Sequence, residues 1–321
     1  MRAVLLKTPA PPPDFEAFWQ AVVAESDALP LVYERVHQPD DDTPTHRVFR
    51  LRWRGADGKG REGWYAVPLE SSPFGFSAGQ SPYMQGEPIG GVKRPGLLYL
   101  PGYGINAAPL DENTLFPDFV TLAPNLHGYA VEPRIPYSPE YGYFTRGIES
   151  PQTYVYRQLL LESILAARVL VAQPEVDSSR LIVAGLSQGG GLAVIMGAWC
   201  ALVRVVVAEL PALTYWEYLL DATVWRYPIK EFADYMQATG RSKETLLATL
   251  QYFDAVNHAP YVRVPVQVSL ALKDPGIRAP VVFSLYDALP HPKRLLIYEE
   301  LGHDWSPEMR VRLQEWAKMH L

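Results

Sequence analysis

Apolar positions along this chain follow three successive rhythms. Residues 14–26 read DFEAFWQAVVAES, where Phe15, Phe18, Trp19, Val22 and Val23 recur at the spacing of one helical face and Asp14 stands in the capping position. Segments 31–37, 46–53 and 62–67 read as extended, and Gly55-Ala56-Asp57-Gly58 between the last two reads as a hairpin turn. The expected product is a set of antiparallel strands at a sheet edge, within an N-terminal region of helix and strands over 14–67. Residues 70–94, rich in Ser, Gly and Pro, read as a long surface loop.

From Pro95 short apolar runs alternate with helical patterns, the mark of a mainly parallel central sheet with helices on both faces. Strands are expected at 96–100, 119–123, 181–184, 203–208, 264–270 and 294–298. Helices are expected near Leu110, over 154–172 and over 280–289, with a terminal helix behind Ser306 as cap and Pro307 in its first turn. Residues 125–147 form an irregular stretch dense in Pro, Gly and Tyr. Between 212 and 262 the alternation stops, and Trp216, Tyr218, Leu219, Trp225, Tyr235, Leu246, Leu250 and Tyr252 point to several short helices outside the sheet. At helical spacing these aromatics read as core rather than as a platform for sugar. The expectation is a single α/β domain over 1–321 with a helical insertion at 212–262.

Candidate chemistry sits in the run LIVAGLSQGGGLAVIM, residues 181–196. It reads as strand, tight turn and helix, with Ser187 at the turn between Gly185 and Gly189. A serine on such a strained turn presents its Oγ clear of the backbone, and a Cβ at either glycine would crowd strand against helix. The helix behind it aims N–H groups and a positive dipole end at the place where an oxyanion would form.

A serine hydroxyl needs a base within hydrogen-bond reach and a third group to orient that base. In an α/β-hydrolase the order is serine, then an acid, then histidine, in loops after later strands. His303 follows the last expected strand, at the same sheet edge as Ser187, and is the candidate base. His258 at the end of the insertion reads as a capping or packing residue, His291 lies at the opposite edge, and His320 is at the chain's end. Asp274, leaving the strand at 264–270, is the candidate carboxylate; Asp287 falls inside a helix and Asp304 is too near His303 in sequence. Two backbone donors are required for an oxyanion. The Gln188 N–H is one, and the turn Gly102-Tyr103-Gly104 offers the other, from Tyr103 or Gly104. Together these pieces specify acyl transfer to water, with no cofactor.

Composition narrows the alternatives. The 321 residues carry 48% hydrophobic and 20% charged positions with a net charge of -6, which suits a sizeable core and gives no basic footprint for nucleic acid. Cys200 is the only cysteine, so no intramolecular disulfide or cysteine metal cluster is expected. There is no His-x-x-x-His pair, and no lysine follows the glycines as a phosphate loop would require. The first 13 residues hold one short apolar run stopped by proline, and no apolar stretch reaches spanning length. A cytoplasmic protein that does not engage a membrane is the expectation.

The chain resembles the acetyl xylan esterase/cephalosporin-C deacetylase family of α/β-hydrolases over nearly its whole length. The resemblance is carried by Pro13-Asp14-Phe15 with Phe18-Trp19, by Thr145-Arg146-Gly147-Ile148 with Tyr154, Tyr156 and Arg157, and by Gly185-Leu186-Ser187-Gln188-Gly189-Gly190. Leu250-Gln251-Tyr252-Phe253-Asp254, Asn257, Asp274 and Gly302-His303 extend it. The resemblance implies Ser187, Asp274 and His303 as triad, Tyr103 and Gln188 as oxyanion donors, and deacetylation of small acetylated molecules such as xylo-oligosaccharides and cephalosporin C. It also implies a cytoplasmic protein that assembles as a homo-oligomer, commonly a hexamer. Two departures stand out. Pro101-Gly102-Tyr103 replaces the family's His-Gly-Tyr, and Ala123-Pro124-Asn125-Leu126-His127-Gly128 replaces its Asp-x-Arg-Gly-Gln-Gly. His127 reads equally as a pocket-lining or a structural loop residue. The competing functions are an esterase, thioesterase or peptidase of the same fold with another substrate, and a catalytically silent binding protein.

Overall fold

In the computed structural model, residues 10–69, 93–104, 110–111, 114–127, 138–221 and 225–321 are described. The surface loop expected at 70–94 lies outside them except for its last two residues. Of the helix expected near Leu110, only Leu110, Asp111 and the residues from Thr114 are described, and none of these is helical. Helix α1 (Phe15–Ala28) leads into strands β1 (Tyr33–His37), β2 (His46–Arg54) and β3 (Gly60–Pro68), paired antiparallel in sequence order as the hairpin signal predicted. Asp14 occupies the cap position of α1, but its side chain does not cap. It accepts a hydrogen bond from the Tyr252 hydroxyl instead, joining the first helix to the insertion at 212–262.

β4 (Arg94–Leu100), β5 (Val120–Asn125), β6 (Val176–Leu186), β7 (Val203–Glu209), β8 (Val266–Ala271) and β9 (Lys293–Tyr298) form the parallel part. β5 pairs antiparallel with β3, so among the described residues one nine-stranded sheet runs in the order β1-β2-β3-β5-β4-β6-β7-β8-β9. Side chains alternate across it. Leu98, Leu100, Leu181, Val183, Val206 and Ala208 face α2 (Val155–Val171), α3 (Gln188–Trp199) and α8 (Ala279–Ala288). Leu97, Ile182, Ala184, Val205 and Val207 face the other way, onto Phe116, Phe119 and α9 (Pro307–His320). Both faces of the central strands are dry, which is why their sequences are apolar runs rather than alternating ones. α9 begins as expected, with the Ser306 side chain accepting from the Glu308 N–H and Pro307 in the first turn.

Between β7 and β8 run α4 (Trp216–Leu220), α5 (Lys230–Thr239), α6 (Lys243–Leu250) and α7 (Ala255–His258). Trp216, Leu219, Leu246 and Leu250 are buried in the main core, with Tyr218, Trp225, Tyr235 and Tyr252 packed against it. His258 is buried and accepts from the Trp199 indole at 2.8 Å, a packing residue as its position suggested. Burial drives its imidazole down to about 3.

The segment leaving β7 is the most contorted in the described chain. Leu210, Leu213 and Tyr215 all adopt positive φ, between 43° and 58°. Side chains tolerate that conformation poorly, at a cost of order 1 kcal/mol or more each. Buried Asp254 holds the segment by accepting from the Tyr215 and Trp216 N–H groups at 2.9 Å, and the Ala212 N–H donates to the Ser187 carbonyl at 2.9 Å. Nothing in apolar residues such as Leu210 and Leu213 announces positive φ, so this feature was invisible in the sequence.

Candidate active site

Ser187 joins β6 to α3 with φ 57° and ψ -117°, a strained geometry for a non-glycine residue. The glycines around it are there for contact. A Cβ on Gly185 would lie 2.5 Å from the Gly189 carbonyl carbon, and one on Gly189 would overlap the Leu100 carbonyl oxygen. A Cβ on Gly191 would overlap the Ala212 carbonyl oxygen. The N-terminal turn of α3 is thus wedged, backbone against backbone, between the chain leaving β4 and the chain leaving β7. Only a run of glycines permits that approach.

His303 stands in the loop between β9 and α9, exposed to solvent. Its Nε2 lies 2.8 Å from Ser187 Oγ, and its Nδ1 lies 2.6 Å from Asp274 Oδ2. Asp274 follows β8, with its carboxylate wholly buried. Its other oxygen accepts from the Gly276 and Ile277 N–H groups at 2.8 and 2.9 Å, which fixes the carboxylate's orientation before the histidine arrives. The structure therefore brings Ser187, His303 and Asp274 into one line, and leaves His258, His291, Asp287 and Asp304 out of it. Among the described residues no group of three or more His, Cys, Asp or Glu is arranged to hold a metal ion.

On the other side of Ser187, the turn after β4 meets the start of α3. Gln188 is buried, and its amide Nε2 donates to the Gly102 carbonyl at 3.2 Å. Its Oε1 accepts from the Tyr156 hydroxyl at 2.6 Å and the Tyr143 hydroxyl at 3.0 Å. The Gln188 side chain thus ties the elbow to the turn that carries Tyr103. Tyr103 points inward. Its ring stacks on Tyr143 and Phe144 at centroid distances of 4.1 and 4.3 Å, and its hydroxyl donates to Glu231. Burial pushes the Tyr103, Tyr143 and Tyr156 phenols well above their ordinary range, so each remains a proton donor. His127 is half-buried with its ring 4.5 Å from that of Tyr143, and desolvation brings its imidazole down to about 4. It is a neutral packing partner of this aromatic layer.

Sequence reasoning missed several residues here. Tyr143 and Glu231 lie 45 and 43 positions from Gln188 and belong to no short motif, and Tyr156, 32 positions away, entered only through the family resemblance with no role attached. Glu209 was also missed. Its carbonyl accepts from the Ser187 N–H at 2.8 Å, and its buried carboxyl accepts from Gln267 Nε2 at 3.1 Å. Burial pushes that carboxyl up to about 7 against the pull of its hydrogen bonds.

A nine-stranded, mainly parallel sheet with a serine elbow and an acid and histidine after later strands defines an α/β-hydrolase. The acetyl xylan esterase family model, AXE1, matches residues 126–320. The chain belongs to that family, and is a hydrolase of carboxylic esters. It is 22% identical over 318 residues to acetyl esterase Axe7A of Xylanibacter ruminicola, covering 96% of this chain and 67% of the relative. Its fold matches that of an acetyl xylan esterase from Paenibacillus sp. R4 with a TM-score of 0.83 and 24% identity, over 99% of this chain and 98% of the other. A second match is acetyl xylan esterase 1 from Thermoanaerobacterium sp. JW/SL YS485, with a TM-score of 0.82 and 21% identity over 99% and 96% of the two chains. Among the described residues no helix is long and apolar enough to cross a membrane.

Proposed function

We propose that this chain removes acetyl groups from small acetylated carbohydrates or related molecules through an acyl-enzyme on Ser187. The observation that carries the reading is the relay from Ser187 Oγ to His303 Nε2 at 2.8 Å and from His303 Nδ1 to Asp274 at 2.6 Å. Ser187 Oγ attacks the acetyl carbonyl carbon as its proton passes to His303 Nε2. Asp274 accepts from Nδ1–H, which fixes the tautomer and stabilises the imidazolium. The oxyanion of the tetrahedral intermediate is received by the Gln188 and Tyr103 N–H groups. The carbonyl carbon–alcohol oxygen bond then breaks, and the proton on His303 goes to the departing alcohol. Water, deprotonated by His303, repeats the sequence on the acyl-enzyme and frees acetate and Ser187.

The acetyl preference is supported by the family and by its relatives, an acetyl esterase and two acetyl xylan esterases. Ser187→Ala is expected to abolish turnover of 4-nitrophenyl acetate in a folded protein, and retained turnover removes Ser187 from the chemistry. Acetate esters are expected to exceed butyrate esters in kcat/KM, and the reverse order would refute a small acyl pocket. Acetate release across acetylated xylo-oligosaccharides, other acetylated sugars and cephalosporin C then identifies the alcohol.

A further inference from the structure

Glu231 lies in the first turn of α5, in the insertion and far in sequence from both the serine and the turn after β4. Only about 9% of it is exposed, and its carboxylate is turned onto the Tyr103 side chain. The Tyr103 hydroxyl sits 2.8 and 2.9 Å from its two oxygens, and the Phe144 N–H donates to it at 2.9 Å. The same hydroxyl accepts from the Tyr143 and Phe144 N–H groups at 2.6 and 3.1 Å, so its one donor and two acceptor sites are all used. Space has been left for this carboxylate. Gly142 has an ordinary negative φ of -63°, yet a Cβ on it would overlap the Glu231 carboxylate. Glycine is needed there for room rather than for conformation.

We infer that Glu231 is a positioning residue for the oxyanion donor on the turn after β4. The inference rests on the reading that the Tyr103 N–H receives the oxyanion. Four residues of turn, Pro101 to Gly104, cannot by themselves fix an amide direction against the charge that develops on a substrate oxygen. The Tyr103 side chain does so because its far end is clamped by a carboxylate from α5 and two amides from the 143–144 backbone. Among the described residues Glu231 is bonded to Tyr103 and Phe144 rather than to the triad, so its effect passes through the phenol to the backbone of Tyr103. An oxyanion donor acts mainly in the transition state, so loosening it should lower kcat and leave KM nearly unchanged.

The test compares Glu231→Ala, Tyr103→Phe, the double variant and Gly142→Ala with wild type. Each is assayed on 4-nitrophenyl acetate and for inhibition by a phenyl trifluoromethyl ketone, whose hemiketal with serine carries an oxyanion. Tyr103→Phe keeps the stacked ring and removes only the clamp, so it stands as the test if Glu231→Ala does not fold. Gly142→Ala displaces the carboxylate without deleting it. Each single variant is expected to lose about 10- to 100-fold in kcat with KM within about twofold, and to lose ketone affinity by a similar factor. The double variant should be no worse than the poorer single one, because both break the same link. Wild-type kcat in Tyr103→Phe, a loss confined to KM, or losses that multiply in the double variant would overturn the role of Glu231. Should Ser187→Ala retain turnover, the reading of the site itself has failed; with Ser187→Ala inactive, those outcomes count against Glu231 alone.

Discussion

The two sides of Ser187 are built in opposite ways. On the histidine side, Asp274 and His303 sit in short loops directly after β8 and β9, and Asp274 is oriented by N–H groups only two and three residues away. On the side where the oxyanion is proposed to form, Tyr103 and Gln188 are held by Tyr143, Phe144, Tyr156 and Glu231, drawn from the 125–147 stretch, α2 and α5. One side is local and half-open; the other is long-range, aromatic and buried. Proton transfer needs a histidine with some freedom and one fixed partner, whereas a donor pair must be rigid before charge appears.

If that contrast is right, the histidine side should fail at a single atom. Asp274→Asn keeps the shape but places an N–H donor or a neutral oxygen against Nδ1, which disfavours the working tautomer. A drop in kcat of roughly 10³- to 10⁴-fold is expected, by analogy with the chymotrypsin-type triad. KM on 4-nitrophenyl acetate should change little, and a loss below about tenfold would mean that another group orients His303.

The sheet behind the elbow should show the next effect, in stability and as a function of pH. Glu209 has an ordinary value of 4.5 and is held up to about 7 in the fold by burial. The native chain therefore binds this proton more tightly than the unfolded one, so its contribution is full below about 4.5 and is lost as pH rises through about 7. Glu209→Gln removes that titration. Relative to wild type it should gain stability progressively between about pH 4.5 and 7, by about 1–3 kcal/mol, and stay level above that window. Denaturant melts at pH 4, 5, 6, 7 and 8 measure it; a wild-type-to-variant difference independent of pH would contradict the assignment.

The Gln188 link on the proposed oxyanion side should yield least, because two hydroxyls donate to the same oxygen. Tyr156→Phe leaves Gln188 Oε1 with Tyr143 as a remaining donor. It should cost about 1 kcal/mol of stability and less than tenfold in kcat. A loss as large as that of Asp274→Asn would erase the contrast between the two sides.

The same difference explains what could be read before the fold was known. The parallel sheet, the elbow, Asp274 and His303 were legible because each follows from a pattern a few residues long: apolar runs, glycine punctuation, and position after a strand. Most strand ends moved by one or two residues, as when β8 began at Val266 rather than at 264, but β6 began at Val176, five residues before the expected 181. Asp14 misled because a side chain in the cap position can be claimed by a distant partner, here Tyr252. The Glu231 clamp was illegible because 128 residues separate it from Tyr103, and a lysine-glutamate pair at a helix start reads as solvated surface. Gly142 looked like loop punctuation; its purpose appears only when the carboxylate stands beside it.

The most direct test of Ser187 as the acyl carrier is intact-protein mass spectrometry after treatment with a fluorophosphonate, followed by peptide mapping. One adduct per chain on Ser187 is expected, absent from Ser187→Ala and slowed in Asp274→Asn. Labelling at another residue, or an unlabelled chain that still hydrolyses 4-nitrophenyl acetate, would contradict a serine acyl-enzyme at this elbow.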